Sequence, residues 1–176
     1  MANNATLTGH ERSFDPGDII VSKTDPKGII TYANDVFLEI ADYTEAEVVG
    51  QPHSIIRHPH MPRCVFKLLW DRISAKDEIF AYVMNRTKYG DHYWVLAHVT
   101  PTFGANQEVA GYHSNRRVPN RKALDTIVPL YEKLRAEEER HANRKDGLAA
   151  SFKMLTSTVD ATGLDYDRFI YSLQQA

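Results

Sequence analysis

The sequence predicts an α+β protein: a five-stranded antiparallel sheet with short helices on one face, followed by C-terminal helices. Three observations lead to this fold class. Short apolar runs separated by turn residues occupy residues 18–33 and 79–117. Residues 34–50 and 63–77 carry apolar residues at helical spacing, and residues 120–175 do so again. Two strands, three short helices and three strands in this order are typical of a sheet that forms a cup for a small ligand.

The predicted strands fall into two groups. In the first, the apolar run Ile19–Val21 is followed by the turn DPKG and by Ile29, Ile30 and Tyr32, which indicates a hairpin. In the second, IFAYVMNRTKYGDHYWVLAHVTPTFG reads as two extended runs around the turn KYGD. The stretch EVAGYHSNRRV, reached through GANQ, is the fifth strand.

The helices between the two groups have recognisable ends. NDVFLEIADY predicts a first short helix, and Thr44 with Glu47 three residues later predicts a capped second turn that stops at Gly50. Residues 51–62 contain three prolines and are expected to form a loop. RCVFKLLWDRISAKD is then a helix that begins just after Pro62.

The C-terminal third is predicted to be helical. An apolar stripe is formed by Leu124, Ile127, Val128, Leu130, Tyr131 and Leu134. Residues 135–146 are nearly all polar and are expected to bridge solvent or act as a hinge. A last helix, roughly residues 148–175, is broken near Gly163. We therefore expect an N-terminal cap at residues 1–17, a sensor domain at 18–118 and a helical extension at 119–176.

Composition excludes several classes of protein. The formal net charge is -2, which does not suit a general nucleic-acid binder. A single cysteine, Cys64, rules out an internal disulfide and a cysteine-based zinc site. No apolar run approaches the ~20 residues of a membrane span, and the N-terminus lacks the apolar core of a signal peptide. These features predict a cytoplasmic protein without direct membrane insertion.

One segment, SIIRHPHMPRCVF at residues 54–66, combines cationic and apolar residues in an unusual way. Arg57, His58, His60 and Arg63 are crowded around two prolines and beside large apolar side chains. A guanidinium is suited to a pair of phosphate oxygens, and the prolines stiffen the loop and so reduce the entropy lost on binding. The segment is therefore a candidate site for a small anionic ligand.

The order of elements resembles a PAS domain, and two motifs resemble the sensory PAS domain of the bacterial aerotaxis receptor family. The motifs are GQPHSIIRHPHMP and NRTKYGDHYWV, and the resemblance extends over about residues 19–117. It implies non-covalent binding of FAD and a signal that passes through protein contacts rather than through turnover.

The resemblance also implies site residues. Arg57 and His58 match the arginine and histidine of the family's RHPDMP pattern, Trp70 matches a tryptophan beside the cofactor, and Asn85 matches an asparagine able to hydrogen-bond the flavin edge. His60 departs from the family, which usually has aspartate there, so an acceptor is replaced by a possible donor. Each residue has a structural alternative: a surface ion pair for Arg57, a backbone hydrogen bond for His58, core packing for Trp70 and a strand contact for Asn85.

The cysteine and the histidines also bear on alternatives to a flavin. No cysteine lies in GQPHSII, so a photochemical thiol adduct is not expected, and Cys64 is expected to be a buried apolar residue. The spacing of His53, His58 and His60 does not suit a metal site. Haem on one axial histidine stays open, with His53, His58, His92 and His98 as candidates. No hydrolase, P-loop or dinucleotide fingerprint is present, so an enzyme is not expected.

The sequence thus predicts a soluble sensor that binds FAD and signals redox or oxygen status to a chemotaxis-like pathway. A PAS module that binds haem or another small ligand, and a cofactor-free interaction module, are the alternatives. As an interaction surface, the helical extension suggests a homodimer first and docking on a chemoreceptor or signalling kinase second. Packing of the extension within its own chain is an equally open structural alternative.

Overall fold

The predicted antiparallel sheet is confirmed. The structure, a computed structural model, describes residues 6–175 of the chain. Over these residues the strands run in the order β2-β1-β5-β4-β3, and all neighbours are antiparallel. Their bounds are β1 Ile20–Thr24, β2 Ile30–Ala33, β3 Ile79–Arg86, β4 His92–Phe103 and β5 Val109–Arg117.

Helices occupy the two regions that the sequence predicts. Between β2 and β3 lie three α-helices and a 3-10 turn: α1 Asp35–Ala41, α2 Glu45–Val48, the turn His53–Ile56 and α3 Arg63–Ser74. After β5 come α4 Arg121–Glu139, α5 Arg144–Asp160 and α6 Tyr166–Gln175. The predicted last helix is therefore two helices, and Gly163 between them has a φ of 73°, which a residue with a side chain rarely adopts.

Local capping explains the short helices near the site. Asn34 caps α1, since its side chain accepts a hydrogen bond from the Phe37 amide at 3.1 Å. The Glu47 carboxylate accepts from the Thr44 amide at 3.0 Å, as the predicted capping box requires, and pairs with Lys88 at 2.5 Å. The helix stops before Gly50, which has a φ of 83°.

The two faces of the sheet have different neighbours. Residues at every second position of β3 and β4, such as Val83, Asn85 and Ala97, face the short helices α1–α3 and line a cavity. The intervening residues, such as Tyr82 and Trp94, face the C-terminal helices instead. The sheet is therefore covered on both sides, with the cavity on the inner side.

The apolar stripe of α4 packs against the outer face of the same chain's sheet. The Tyr131 hydroxyl donates to the backbone carbonyl of Tyr82 at 2.8 Å, and its ring lies 6.1 Å from that of Trp94. Leu124, Ile127 and the rest of the stripe, apart from partly buried Val128, are buried in the core. The homodimer stays a prediction, but these apolar faces are already buried within one chain.

The polar stretch 135–146 does not form a separate bridge through solvent. Helix α4 continues through Glu139, and only residues 140–143 connect it to α5. Glu138 is buried because its carboxylate has three partners: Arg63 Nε at 2.8 Å, the Cys64 amide at 3.0 Å and the Ser151 hydroxyl at 3.0 Å. Glu138, a polar residue of α4, therefore links α3, α4 and α5 through buried hydrogen bonds.

The N-terminal segment lies along the turn between β3 and β4. The Thr8 amide donates to the Gly90 carbonyl at 3.1 Å, and the Arg12 amide donates to the His92 carbonyl at 2.7 Å. Arg12 also forms an ion pair with Asp42. Residues 1–5 of the predicted cap lie outside the described residues, and the three-part domain division stays a prediction.

Candidate ligand-binding site

A cavity of about 330 Å³ lies between the inner face of the sheet, α3 and the 3-10 turn. Helix α3 supplies an apolar wall formed by Phe66, Leu69, Trp70 and Ile73. The sheet supplies polar groups, among them Ser22, Asn85, Ser114 and Arg116. An apolar slot with a few convergent polar groups is the usual form of a small-molecule site.

Three of the five predicted site residues line this cavity: Arg57, Trp70 and Asn85. The guanidinium carbon of Arg57 lies 3.6 Å from the centroid of the Phe66 ring, so the cation rests on an aromatic face. Asn85 is buried, with 4% of its surface exposed. The structure therefore brings together residues from the loop, α3 and β3.

His58 and His60 do not line this cavity. The backbone of Arg57 forms an antiparallel bridge with Asn85, so the loop runs as an extended segment beside β3. Successive side chains of extended backbone point to opposite sides. Arg57 therefore faces the inner cavity, whereas His58 and His60 line a second cavity on the outer side of the sheet. Their predicted contact with a cofactor remains untested.

Trp70 stands at the edge of the inner cavity. Its side chain is 37% exposed, and its ring makes an edge-to-face contact with Tyr112 at 5.6 Å between centroids. Gly28, in the β1–β2 turn with a φ of 80°, approaches the indole so closely that an added Cβ would lie 3.1 Å from it. This exposure argues against Trp70 being ordinary core.

A polar cluster that the sequence reasoning missed lies deep in the cavity. Arg116 is 3% exposed, and its Nη2 donates to the Ser22 hydroxyl at 2.5 Å and to His53 Nε2 at 2.6 Å. The sequence did contain a signal for this placement. Tyr112, Ser114 and Arg116 occupy every second position of β5, so their side chains lie on the same face of the strand. Because Nε2 of His53 accepts this bond, the proton of the neutral ring lies on Nδ1.

The charge of the cavity is unbalanced. Among residues 6–175, its lining includes Lys27, Arg57 and Arg116 and includes no aspartate or glutamate. Over residues 6–175, buried Asn85 Nδ2, Arg57 Nε and Arg116 Nη1 have no hydrogen-bond partner. Unpaired buried donors are costly, so this arrangement fits a ligand that is anionic or rich in acceptors.

Burial and the nearby cations keep the histidines neutral. Burial, with repulsion from Arg116 and Arg57, lowers the pKa of His53 to about 3. Burial, with repulsion from His60 and His92 among others, lowers the pKa of His58 to about 4. Burial also lowers the pKa of Arg116 to about 10, so this guanidinium is still charged at neutral pH.

These shifts predict a loss of stability on acidification. The unfolded chain binds protons at these histidines below a pKa of about 6.5, whereas the folded chain does not, so stability falls as pH falls from about 6.5 toward 4. We expect the free energy of unfolding to decrease by about 2 kcal/mol for each of His53 and His58 between pH 7 and pH 5. Urea denaturation of wild type and His58→Gln at both pH values measures this.

The matched control is His10→Gln, because His10 is exposed. Between pH 7 and pH 5, the decrease for His58→Gln should be about 2 kcal/mol smaller than the decrease for the control. An identical decrease in both variants contradicts the assignment.

Cys64 does not line the inner cavity. It is buried, and burial raises the pKa of its thiol to about 11, as expected of a structural cysteine.

No group of three or more His, Cys, Asp or Glu side chains within residues 6–175 is arranged to hold a metal ion. Over the same residues, none of the helices has the length and apolarity needed to cross a membrane.

This chain is similar to several known proteins. Residues 30–116 match the family described as the PAS fold. The aerotaxis receptor of Escherichia coli (strain K12) is 34% identical over 136 residues, which is 77% of this chain and 27% of that receptor. This chain belongs to the PAS family. The resemblance to the PAS domain of the aerotaxis receptor is confirmed, and the chain spans about a quarter of that relative.

Other PAS relatives are more distant. Phototropin-1A of Oryza sativa subsp. japonica is 28% identical over 96 residues, 54% of this chain and 10% of that protein. The light-state structure of the blue-light photoreceptor Aureochrome1 LOV has a TM-score of 0.55 at 20% identity and covers 62% of this chain and 88% of that one. A PAS domain from Colwellia psychrerythraea has a TM-score of 0.53 at 18% identity, covering 57% and 85%. These structures support the PAS fold alone.

Proposed function

We propose that this protein is a PAS sensor that binds FAD non-covalently and reports redox or oxygen status to a chemotaxis-like pathway through protein contacts. The observation that carries the proposal is the inner cavity. Among residues 6–175, its lining has three Lys and Arg side chains, no carboxylate, and three buried donors without partners. The relatives support it, since one is an aerotaxis receptor and one similar structure is a light-oxygen-voltage domain studied with a flavin analogue.

The cavity residues suit the parts of FAD. The apolar wall of α3 suits a flat ring system, and Asn85 Nδ2 and Arg116 Nη1 suit the acceptors on its polar edge. Arg57 and Lys27 suit the pyrophosphate. The cavity of about 330 Å³ would hold the ring system, and Trp70 stands exposed at its edge. Bound FAD supplies the electron exchange, and the protein supplies binding and orientation.

The route from cofactor to surface begins at β3 in this proposal. Asn85 would hold the polar edge of the flavin, and an exchange of one hydrogen-bond partner of Asn85 is worth on the order of 1 kcal/mol. That difference shifts a two-state equilibrium several-fold. Met84 and Tyr82, on the other side of the same strand, contact the outer-face elements, so a shift of β3 reaches the helical extension.

Haem is a weaker candidate for this cavity. His53 is the histidine among its lining residues, and its Nε2 already lies 2.6 Å from Arg116 Nη2 and 3.0 Å from the Ser22 hydroxyl. His98 pairs with Glu78 at 2.7 Å, and His58 and His92 line the outer cavity. Coordination of iron by His53 would require these hydrogen bonds to break.

A visible spectrum of freshly purified protein, with mass analysis of the released chromophore, tests the proposal. We expect flavin absorption near ~450 nm and the mass of FAD, held in about one equivalent per chain. A Soret band would favour haem, and a colourless protein that takes up no added FAD would favour an interaction module. Turnover with a nicotinamide cofactor would favour an enzyme. Each of these outcomes contradicts the proposal.

A further inference from the structure

The second cavity lies on the face of the sheet opposite the inner one. Its volume is about 400 Å³. Met84 and Trp94 of the sheet and Val128 and Tyr131 of α4 give it apolar walls. His58, His60, His92, Glu132 and Arg135 are its polar lining, and Leu7 and Gly9 of the N-terminal segment close one side. It shares no lining residue with the inner cavity.

His58 offers this cavity a ring N–H that has no hydrogen-bond partner within residues 6–175. His58 is 4% exposed, and its Nδ1 accepts a hydrogen bond from the His60 amide at 3.1 Å. In the neutral ring the proton must therefore be on Nε2, and no hydrogen bond from Nε2 is formed within residues 6–175. This tautomer makes His58 a donor toward a ligand and unsuited to bind a metal through Nδ1.

The other polar groups favour an anion. Arg135 Nε is buried and forms no hydrogen bond, although the Glu139 carboxylate lies 3.4 Å away. The imidazoles of His58, His60 and His92 are grouped closely, with ring centroids 4.8 and 5.7 Å from that of His58. Glu132 is the acidic residue of the lining, and it is exposed on α4. The buried part of the cavity thus has donors in excess over acceptors.

We propose that the outer cavity is a second ligand site, which binds a small aromatic carboxylate. The aromatic ring packs between Trp94, Tyr131 and the apolar residues of α4, and the carboxylate accepts from His58 Nε2–H and from Arg135. Both cavities meet at the same extended segment, with Arg57 facing one and His58 the other. The site stands on its own residues and does not depend on the identity of the ligand in the inner cavity.

The chain contains two tryptophans, and they report the two cavities separately. Trp94 lines the outer cavity and Trp70 the inner one, so the indole N–H signals of ¹⁵N-labelled full-length protein distinguish the sites. Titration with benzoate should shift the Trp94 signal saturably and leave the Trp70 signal in place. Benzyl alcohol, which lacks the carboxylate, should bind roughly tenfold more weakly or worse.

A pair of variants on α4 isolates the carboxylate contact. Arg135→Gln should weaken benzoate binding by roughly tenfold to a hundredfold, whereas Lys133→Gln, the same change of charge at an exposed position, should leave it unchanged. His58→Gln should weaken binding without altering the occupancy of the inner cavity. Equal binding by Arg135→Gln and wild type overturns the proposal. A shift of Trp70 alone, or no saturable shift up to about 10 mM benzoate, overturns it too.

Discussion

Arg57→Ala is expected to strip most of the flavin from the purified protein while the protein stays folded. Arg57 lines the inner cavity, and its guanidinium rests on Phe66 with a buried Nε that has no partner within residues 6–175. A hydrogen bond to a charged group contributes about 1.5–3 kcal/mol, so affinity should fall by roughly tenfold to a hundredfold. The measurement is the ratio of flavin to protein absorbance after gel filtration, together with a titration of FAD into the apoprotein.

Two companion variants separate charge from shape. Trp70→Ala should also lose flavin, because it opens the cavity edge at an indole that is 37% exposed and therefore dispensable for the core. Arg57→Lys keeps the charge but not the fork of donors, so it should retain an intermediate amount. Arg117→Ala, at an exposed position of β5, is the matched control and should stay fully loaded.

The assignment of the flavin to the inner cavity requires that Arg57→Ala and Trp70→Ala both lose flavin. Stoichiometric flavin in both Arg57→Ala and Trp70→Ala would place the cofactor elsewhere. Circular dichroism must show that each variant is folded, since loss of the fold would remove the flavin for an unrelated reason. Asn85→Ala tests the same assignment and should also lose flavin, because Asn85 Nδ2 is a buried donor without a partner in the described part of the chain.

Glu138→Ala is expected to destabilise the protein by about 3 kcal/mol. The Glu138 carboxylate accepts from Arg63, from the Cys64 amide near the start of α3, and from the Ser151 hydroxyl. Removing it leaves the buried Cys64 amide without its acceptor and leaves the Ser151 hydroxyl with the Leu148 carbonyl, at 3.1 Å, as its acceptor. The effect is smaller than for a fully buried ion pair because the side chain of Arg63 is 29% exposed and can turn to water.

Urea unfolding followed by circular dichroism measures this effect. Glu139→Ala removes the neighbouring, exposed carboxylate of α4 and should change stability by no more than about 0.5 kcal/mol. Glu138→Gln keeps one acceptor oxygen and should lie between the two. Equal stabilities of Glu138→Ala and Glu139→Ala would mean that the junction between α3 and α5 contributes nothing to folding.

Much of the fold could be predicted because its signals are local. Turn residues and apolar alternation located the five strands, and the capping box at Thr44 and Glu47 located a helix start. The apolar stripe of α4 was equally visible, but a stripe says only that a face is buried. It does not name the surface that buries it, so the sequence leaves open both packing on a second copy and packing on the chain's own sheet. In the structure α4 packs on its own sheet, and the homodimer stays a prediction.

Only part of the candidate site could be predicted, because a sequence pattern does not show which residues meet in the folded protein. Arg57, Trp70 and Asn85 were found through the PAS resemblance, and the structure brings them to one cavity. Arg116 was overlooked because an arginine in a strand usually points to water. Glu138 was overlooked because it sits in a run of charged residues and its partners Arg63 and Cys64 are distant in sequence.

The amino-acid sequence is enough to predict the succession of strands and helices along the chain, the turns between them and the PAS class. It does not show that Arg57 and His58, adjacent in the chain, face two different cavities on opposite sides of the sheet. The physical reason is that the direction of each side chain depends on the bridge between Arg57 and Asn85. That bridge joins two segments that are distant in the sequence and are brought together by the tertiary fold.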